Sequence, residues 1–243
     1  MFARNWQLML LFAVTSPVLA QQASVAQGQE IANRGTSLGV AACINCHGAQ
    51  GQGNASFPRL AGSGQAYLQA QLDAFADGSR KSPDMQPFAQ KLLPVERTSL
   101  AMFYSQLQPP VSGVASAAAP PDDIGAWLAA RGRWVDQLPA CAQCHGINGN
   151  GVGTTFPPLS GLPSAYIVRQ LQAWKNGARP PGPLGLMPAI ASKLSAQDMN
   201  AVAAFYAAQA SAAAAPTSPQ DADGTIRKTD TGDKHERSAT RRK

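Results

Sequence analysis

The sequence predicts an all-α protein built as two tandem copies of one unit, and three observations carry that prediction. Cys43-Ile44-Asn45-Cys46-His47-Gly48 recurs as Cys141-Ala142-Gln143-Cys144-His145-Gly146 at an offset of 98, and self-similarity of this kind marks a repeated structural unit. Apolar residues in each copy recur at helical spacing, and no stretch of useful length alternates as a strand would. The copies also agree beyond the cysteines. At an offset of 99, Phe57-Pro58-Arg59-Leu60-Ala61-Gly62 matches Phe156-Pro157-Pro158-Leu159-Ser160-Gly161, and Tyr67, Gln71, Gly78 and Arg80 match Tyr166, Gln170, Gly177 and Arg179. At an offset of 102, Met85, Phe103 and Tyr104 match Met187, Phe205 and Tyr206.

The 243 residues hold 20 Lys and Arg against 14 Asp and Glu, a net charge of +6, which is too weak a bias for a nucleic-acid binder. Only 14% of residues are charged, while Gly and Pro number 22 and 19. Each unit is small enough that its core is expected to lean on a metal, a cofactor or a disulfide, which directs attention to the four cysteines.

From the N-terminus, residues 1–20 read as an export signal: Arg4 precedes an apolar run from Leu8 to Val14, and Val18-Leu19-Ala20 offers small residues for cleavage after Ala20. That run is far shorter than the roughly 20 residues of a spanning helix. No later stretch is apolar enough to span a bilayer, so the mature chain is expected to be soluble, periplasmic and without a transmembrane helix. The first unit occupies 21–107. Its Tyr67, Leu68, Leu72 and Phe75 make an amphipathic helix stopping at Gly78, and Leu100, Phe103, Tyr104 and Leu107 make a final helix. Residues 108–121, rich in Pro, Ala and Ser, suit an exposed connector. The second unit, 122–209, repeats both helices, with Ile167, Leu171 and Trp174 before Gly177, and Val202, Phe205 and Tyr206 behind Ser195 and Asp198, a capping-box pair. Residues 210–243 are polar, with one sizeable apolar residue, Ile226, and read as a disordered tail; its basic end is either solvated or set against an acidic partner.

A Cys-x-x-Cys pair alone fits a dithiol redox site, half a zinc site or haem attachment, and the residue after it decides. Both pairs are followed by His, the pattern in which two thiols bond the porphyrin vinyl groups and the adjacent His ligates iron. A single four-thiolate zinc site would want the pairs within roughly 15–20 residues of each other. The reading is therefore two haem c groups, on Cys43 and Cys46 and on Cys141 and Cys144, with His47 and His145 as axial ligands.

The sixth ligand follows from counting. Of three His, only His235 is left over, so at least one haem is not bis-His. Met85 and Met187 hold matching positions in Pro-rich loops, 38 and 42 residues past their own His, and are the expected second axial ligands. Met102 and Met199 fall in the final helices and read as core. Pro58 and Pro157 offer carbonyls free to accept the second ring N–H of each His, or are plain turn residues. Arg80 and Arg179 either pair with haem propionates or are solvated past a helix end.

In sum these motifs, CxxCHG, a Gly-rich loop, Phe-Pro-x-Leu-x-Gly, a Tyr-led helix, a Met loop and a final helix bearing Phe-Tyr, all in tandem, resemble the dihaem cytochrome c4 family, two fused class I cytochrome c domains. The resemblance covers both units. It implies electron transfer in the periplasm between a quinol-oxidising or other respiratory donor and a terminal oxidase or reductase, with redox protein partners that include membrane-bound respiratory complexes. It implies His/Met ligation at each iron and strengthens the reading of Pro58 and Pro157 as acceptors. It also implies a first-helix Gly that lets the last helix pack closely, for which Gly28 and Gly132 are the fitting positions; that pairing requires an insertion in the first unit. Two alternatives stand beside the carrier: the haem subunit of a larger dehydrogenase or oxidase, and a dihaem enzyme of peroxidase or thiosulfate-oxidising type, which would need an open iron.

Overall fold

Each copy places its apolar residues on short helices that meet where the repeat is most regular, on the final helix. The computed structural model describes residues 22–108 and 122–209. The expected export segment, almost all of the connector, and the polar tail with His235 lie outside the described residues. In the first copy the elements are α1 (Val25–Arg34), α2 (Ile44–His47), α3 (Gln65–Ala76), α4 (Gln86–Ala89) and α5 (Pro94–Gln106). In the second they are α6 (Ile124–Ala130), α7 (Ala142–His145), α8 (Ser164–Lys175), α9 (Leu186–Ser192) and α10 (Ala196–Ala208). The described residues hold only two isolated bridges of extended pairing and no strand.

Local chemistry sets the helix ends. The Ser24 hydroxyl accepts from the Gln27 N–H at the start of α1, and Gly35, at φ +77°, closes it by donating to the Ile31 carbonyl. Pro94 begins α5, where the Glu96 carboxylate accepts from the Leu93 N–H at 2.8 Å. Ser195 and Asp198 form the expected reciprocal box at α10, at 3.0 and 2.9 Å. The long helices α3 and α8 stop before Gly78 and Gly177 as the sequence predicts.

In the first copy α1 and α3 both pack on α5, and Ile31, Val40, Leu68, Leu92, Leu100 and Tyr104 form the core. In the second, α6 and α8 pack on α10 around Leu128, Leu138, Ile167, Leu171, Met199 and Tyr206. Met199 is core as expected, whereas Met102 is half-buried.

The first-helix glycine of the second copy is Gly125, not Gly132. A Cβ on Gly28 would lie 2.0 Å from the Ser99 carbonyl oxygen, and one on Gly125 would lie 2.3 Å from that of Ala201; these are the close crossings of α1 on α5 and of α6 on α10. Gly132 instead matches Gly35: both have positive φ, and a Cβ on each would strike the carbonyl oxygen of the same core position, Leu138 or Val40. The first copy therefore carries no insertion here. The second is one residue longer between this turn and its first cysteine, an extra length taken up by a 3-10 turn at Trp134–Asp136.

Candidate functional site

The two CxxCH motifs fold as single helical turns, α2 and α7. His47 and His145 donate their N–H to the carbonyls of Cys43 and Cys141, both at 2.9 Å, so the first cysteine and the histidine share a face four residues apart. Gly48 and Gly146, both at φ +83°, end these turns by donating to the carbonyls of Ile44 and Ala142. The chain then folds back beneath its own histidine. Gly53 and Gly151 donate to the carbonyls of His47 and His145, and Leu60 and Leu159 to those of Gly51 and Gly149. This brings Pro58 and Pro157 under the rings.

There the Nδ1–H of His47 donates to the Pro58 carbonyl and that of His145 to the Pro157 carbonyl, each at 2.8 Å. Phe57 and Phe156 meet the same rings edge-on. With Nδ1 so engaged, the ring nitrogen left for a metal is Nε2. Burial, against a smaller opposing effect of the proline carbonyl, holds both imidazoles below their ordinary pKa and thus neutral, the form that ligates metal.

The cysteines do not suit dithiol chemistry. Burial pushes the Cys43 and Cys141 thiols up to about 11, the reverse of the depressed pKa that activates a thiol. None of the four is in a disulfide, and among the described residues no three of His, Cys, Asp and Glu converge as a metal cluster.

Met85 sits at the start of α4 and Met187 in the first turn of α9, so both predicted loop methionines lie at helix beginnings. Met187 packs against the core of the second copy. The Met85 N–H is held by the Ser82 hydroxyl.

Arg80 and Arg179 are not solvated; they are 6% and 5% exposed and cross between the copies. Arg80 donates to Gln71 in its own copy at 2.8 Å, and to Tyr166 and Gln170 in the other at 3.1 and 2.7 Å. Arg179 donates to Gln170 in its own copy at 3.0 Å, and to Tyr67 and Gln71 in the other at 3.1 and 2.8 Å. Each guanidinium also lies over a ring, Phe75 or Trp174. Burial and the nearby Arg80 charge lower the Arg179 pKa, and although burial alone would raise the Tyr67 phenol, the Arg179 and Arg80 charges hold it below its ordinary value.

No carboxylate among the described residues pairs with either arginine. Arg59, which the repeat replaces with Pro158, is also buried, and its Nε has no hydrogen-bond partner; the same is true of the buried hydroxyls of Tyr104 and Tyr206, which lie beside Cys43 and Cys141. Buried positive charge without its counter-ion is costly, so these residues fit a group that brings anionic carboxylates into the interior, as haem does. Arg59 was not singled out from the sequence, although its replacement by Pro in the second copy was a visible asymmetry.

The cytochrome c family profile matches residues 25–99 and 129–208. A thiosulfate dehydrogenase electron acceptor from Stutzerimonas stutzeri (strain A1501) is 40% identical over 200 residues, which are 81% of this chain and 93% of that protein. The crystal structure of reduced recombinant cytochrome c4 from Pseudomonas stutzeri superposes with a TM-score of 0.65 at 30% identity, over 76% of this chain and 98% of that one. The as-isolated thiosulfate dehydrogenase of Marichromatium purpuratum superposes with a TM-score of 0.68 at 39% identity; the match takes in 81% of this chain but spans only 43% of that longer one.

Proposed function

Because the chain belongs to the cytochrome c family, as a dihaem electron carrier of the cytochrome c4 type, we propose that it works in the periplasm, taking electrons from a thiosulfate dehydrogenase or another respiratory donor and delivering them to a terminal oxidase or reductase. The observation that carries this reading is the duplicated histidine support, in which a proline carbonyl fixes each ring at the same 2.8 Å. Each bound haem supplies a one-electron iron couple. Cys43 and Cys46 would hold the first covalently and Cys141 and Cys144 the second, with His47 and Met85, and His145 and Met187, as the iron ligands.

The chain's own residues do the tuning. The Nδ1–H bonds raise the basicity of His47 and His145 and stop the rings from turning. Thioethers from Met85 and Met187 and the apolar shell would favour the less charged, reduced iron and so raise the potential. Arg80 and Arg179, with Arg59 in the first copy, would supply positive charge near haem propionates. With Met85 and Met187 as second ligands neither iron would be left open to a substrate, which supports a carrier whose donor carries out the oxidation of thiosulfate. Export rests on residues 1–20, and no described helix is long and apolar enough to cross a membrane.

One observation favours a second reading, that of an electron-transfer subunit held by its dehydrogenase: the related Marichromatium segment is part of a much longer chain. The test mixes the haem-loaded protein with thiosulfate and the purified Stutzerimonas thiosulfate dehydrogenase. Reduction of both haems only when enzyme and thiosulfate are present is expected. Failure to reduce haems that ascorbate does reduce overturns the donor assignment, and thiosulfate oxidation by the chain alone overturns the carrier reading. Co-elution of the two proteins in gel filtration selects the subunit reading.

A further inference from the structure

The two copies differ on the surface beside the second CxxCH motif. There Trp134, Val135 and Ile147 stand 68%, 90% and 88% exposed. They border an open cleft of about 700 Å³ whose lining includes Trp127, Ala142 and Gln143. Ala142 and Gln143 are the two residues between Cys141 and Cys144, so this surface includes the helical turn whose cysteines would hold the second haem. In the first copy Ile147 is replaced by Ala49, and the shorter turn reads Thr36-Ser37-Leu38-Gly39 with no aromatic; Leu38 is its one large apolar residue exposed, at 59%.

Single exposed apolar residues are ordinary, but a contiguous group containing a tryptophan marks an interaction surface. Its rim is positive. Arg133 is neutralised by Asp136 and Asp198, and Lys193 reaches the Asp136 carbonyl. Arg131 lies 5.1 Å over the Trp127 ring with no carboxylate among the described residues.

We infer that this surface is where the electron donor docks. The inference rests on the donor reading above: the occupant is a thiosulfate dehydrogenase that presents an apolar patch over its own redox centre, with a carboxylate placed to meet Arg131. Only a redox protein gains from contact at this point, because the surface contains the two residues that separate the haem thioethers. Apolar contact gives a short-lived complex its close approach, while the arginine steers the encounter. Electrons would therefore enter through the second copy, leaving the first to face the acceptor.

The test measures reduction of the haem-loaded protein by the Stutzerimonas thiosulfate dehydrogenase and thiosulfate at subsaturating carrier, with ascorbate as a donor that needs no docking surface. Trp134→Ala combined with Ile147→Ser is expected to slow enzymatic reduction about tenfold or more, with ascorbate reduction, spectrum and potentials unchanged. Arg131→Glu is expected to slow it at low salt and to flatten or reverse its ionic-strength dependence. Leu38→Ser in the first copy is expected to change nothing. If wild type is reduced by the enzyme and the Trp134 and Ile147 variant keeps pace with it, or if Leu38→Ser is the variant that slows, the surface is assigned wrongly while the donor reading stands. If wild type is not reduced at all, both fall.

Discussion

Replacing Gly28 by Ala sets two effects of known sign against each other. Alanine in a helix interior is favoured over glycine by about 1 kcal/mol. Against this, the new Cβ would sit 2.0 Å from the Ser99 carbonyl oxygen, 2.5 Å from its carbon and 2.9 Å from the Phe103 Cβ, where ordinary contact begins at 3.4 Å. The obstacle is backbone of α5, so no rotamer change relieves it, and α1 has to retreat by more than an ångström along the seam that holds Ile31 against Leu100. Overpacking of a core typically costs about 1–3 kcal/mol, and a gap of roughly 0.5–1 Å forfeits a quarter to a half of each dispersion contact along the rest of the seam. The expected net loss is about 1–3 kcal/mol. For a domain of this size that lowers the melting temperature by about 5–15 °C. Gly125→Ala, facing 2.3, 2.8 and 3.0 Å in the second copy, should lose less. Scanning calorimetry of the haem-loaded variants reads both, and an unchanged or raised melting temperature for Gly28→Ala would refute the close-crossing argument.

Met85→Ala and Met187→Ala should each alter one haem only, opening its iron to carbon monoxide and lowering its potential; a variant whose two haems stay spectroscopically identical to wild type removes that methionine as a ligand. Arg80→Met and Arg179→Met delete positive charge from a buried interface and should lower at least one midpoint potential in a spectroelectrochemical titration; two unchanged potentials would mean that these arginines serve packing alone. Asp198, hydrogen-bonded by Arg133 and by the Ser195 amide and hydroxyl, is held at about 2 against an ordinary 3.8. Its folded pKa is the lower one, so the stability it contributes is complete above the unfolded value and is lost as pH falls from about 4 toward 2. Urea unfolding from pH 6 to 2 should show that acid-side loss in wild type and a weaker one in Asp198→Asn, which should itself be less stable at neutral pH by about 1–2 kcal/mol.

Much of the site was legible because its chemistry is local. CxxCH fixes the cysteines and histidine within one turn, and the shared Phe-Pro step offered a carbonyl for each ring or a plain turn; the family resemblance favoured the acceptor role, and the structure pairs His47 with Pro58 and His145 with Pro157. The capping box at Ser195 and Asp198 is likewise written within four residues. What failed was alignment by distance from the cysteines. Gly28-x-x-Ile31-Ala32-x-Arg34-Gly35 recurs as Gly125-x-x-Leu128-Ala129-x-Arg131-Gly132, a match that identifies Gly125 directly and was masked by the extra residue in the following turn. Arg80 and Arg179 were undecidable from sequence, because an arginine past a helix end looks the same whether water or another copy lies beyond it.

The crossing contacts form a self-complementary set. Tyr67, Gln71 and Arg80 meet Tyr166, Gln170 and Arg179 so that each arginine bond from the first copy to the second has a twin running back. That is the geometry of an isologous interface, the kind that builds two-fold dimers. A lone unit already carries both halves of the contact, and two free units could pair through it with no new chemistry. Fusion through a short connector replaces a concentration-dependent association with an effective local concentration on the order of millimolar, so a patch too small to hold a dimer at dilution becomes permanent. Tethering also frees the halves to diverge. Gly64 admits the Thr154 carbonyl, and the Tyr67 N–H donates to it at 2.9 Å, while Pro163 stands where the second copy would need a glycine for the mirror contact. The symmetry is broken there, and a molecule with two unlike ends can face two unlike partners.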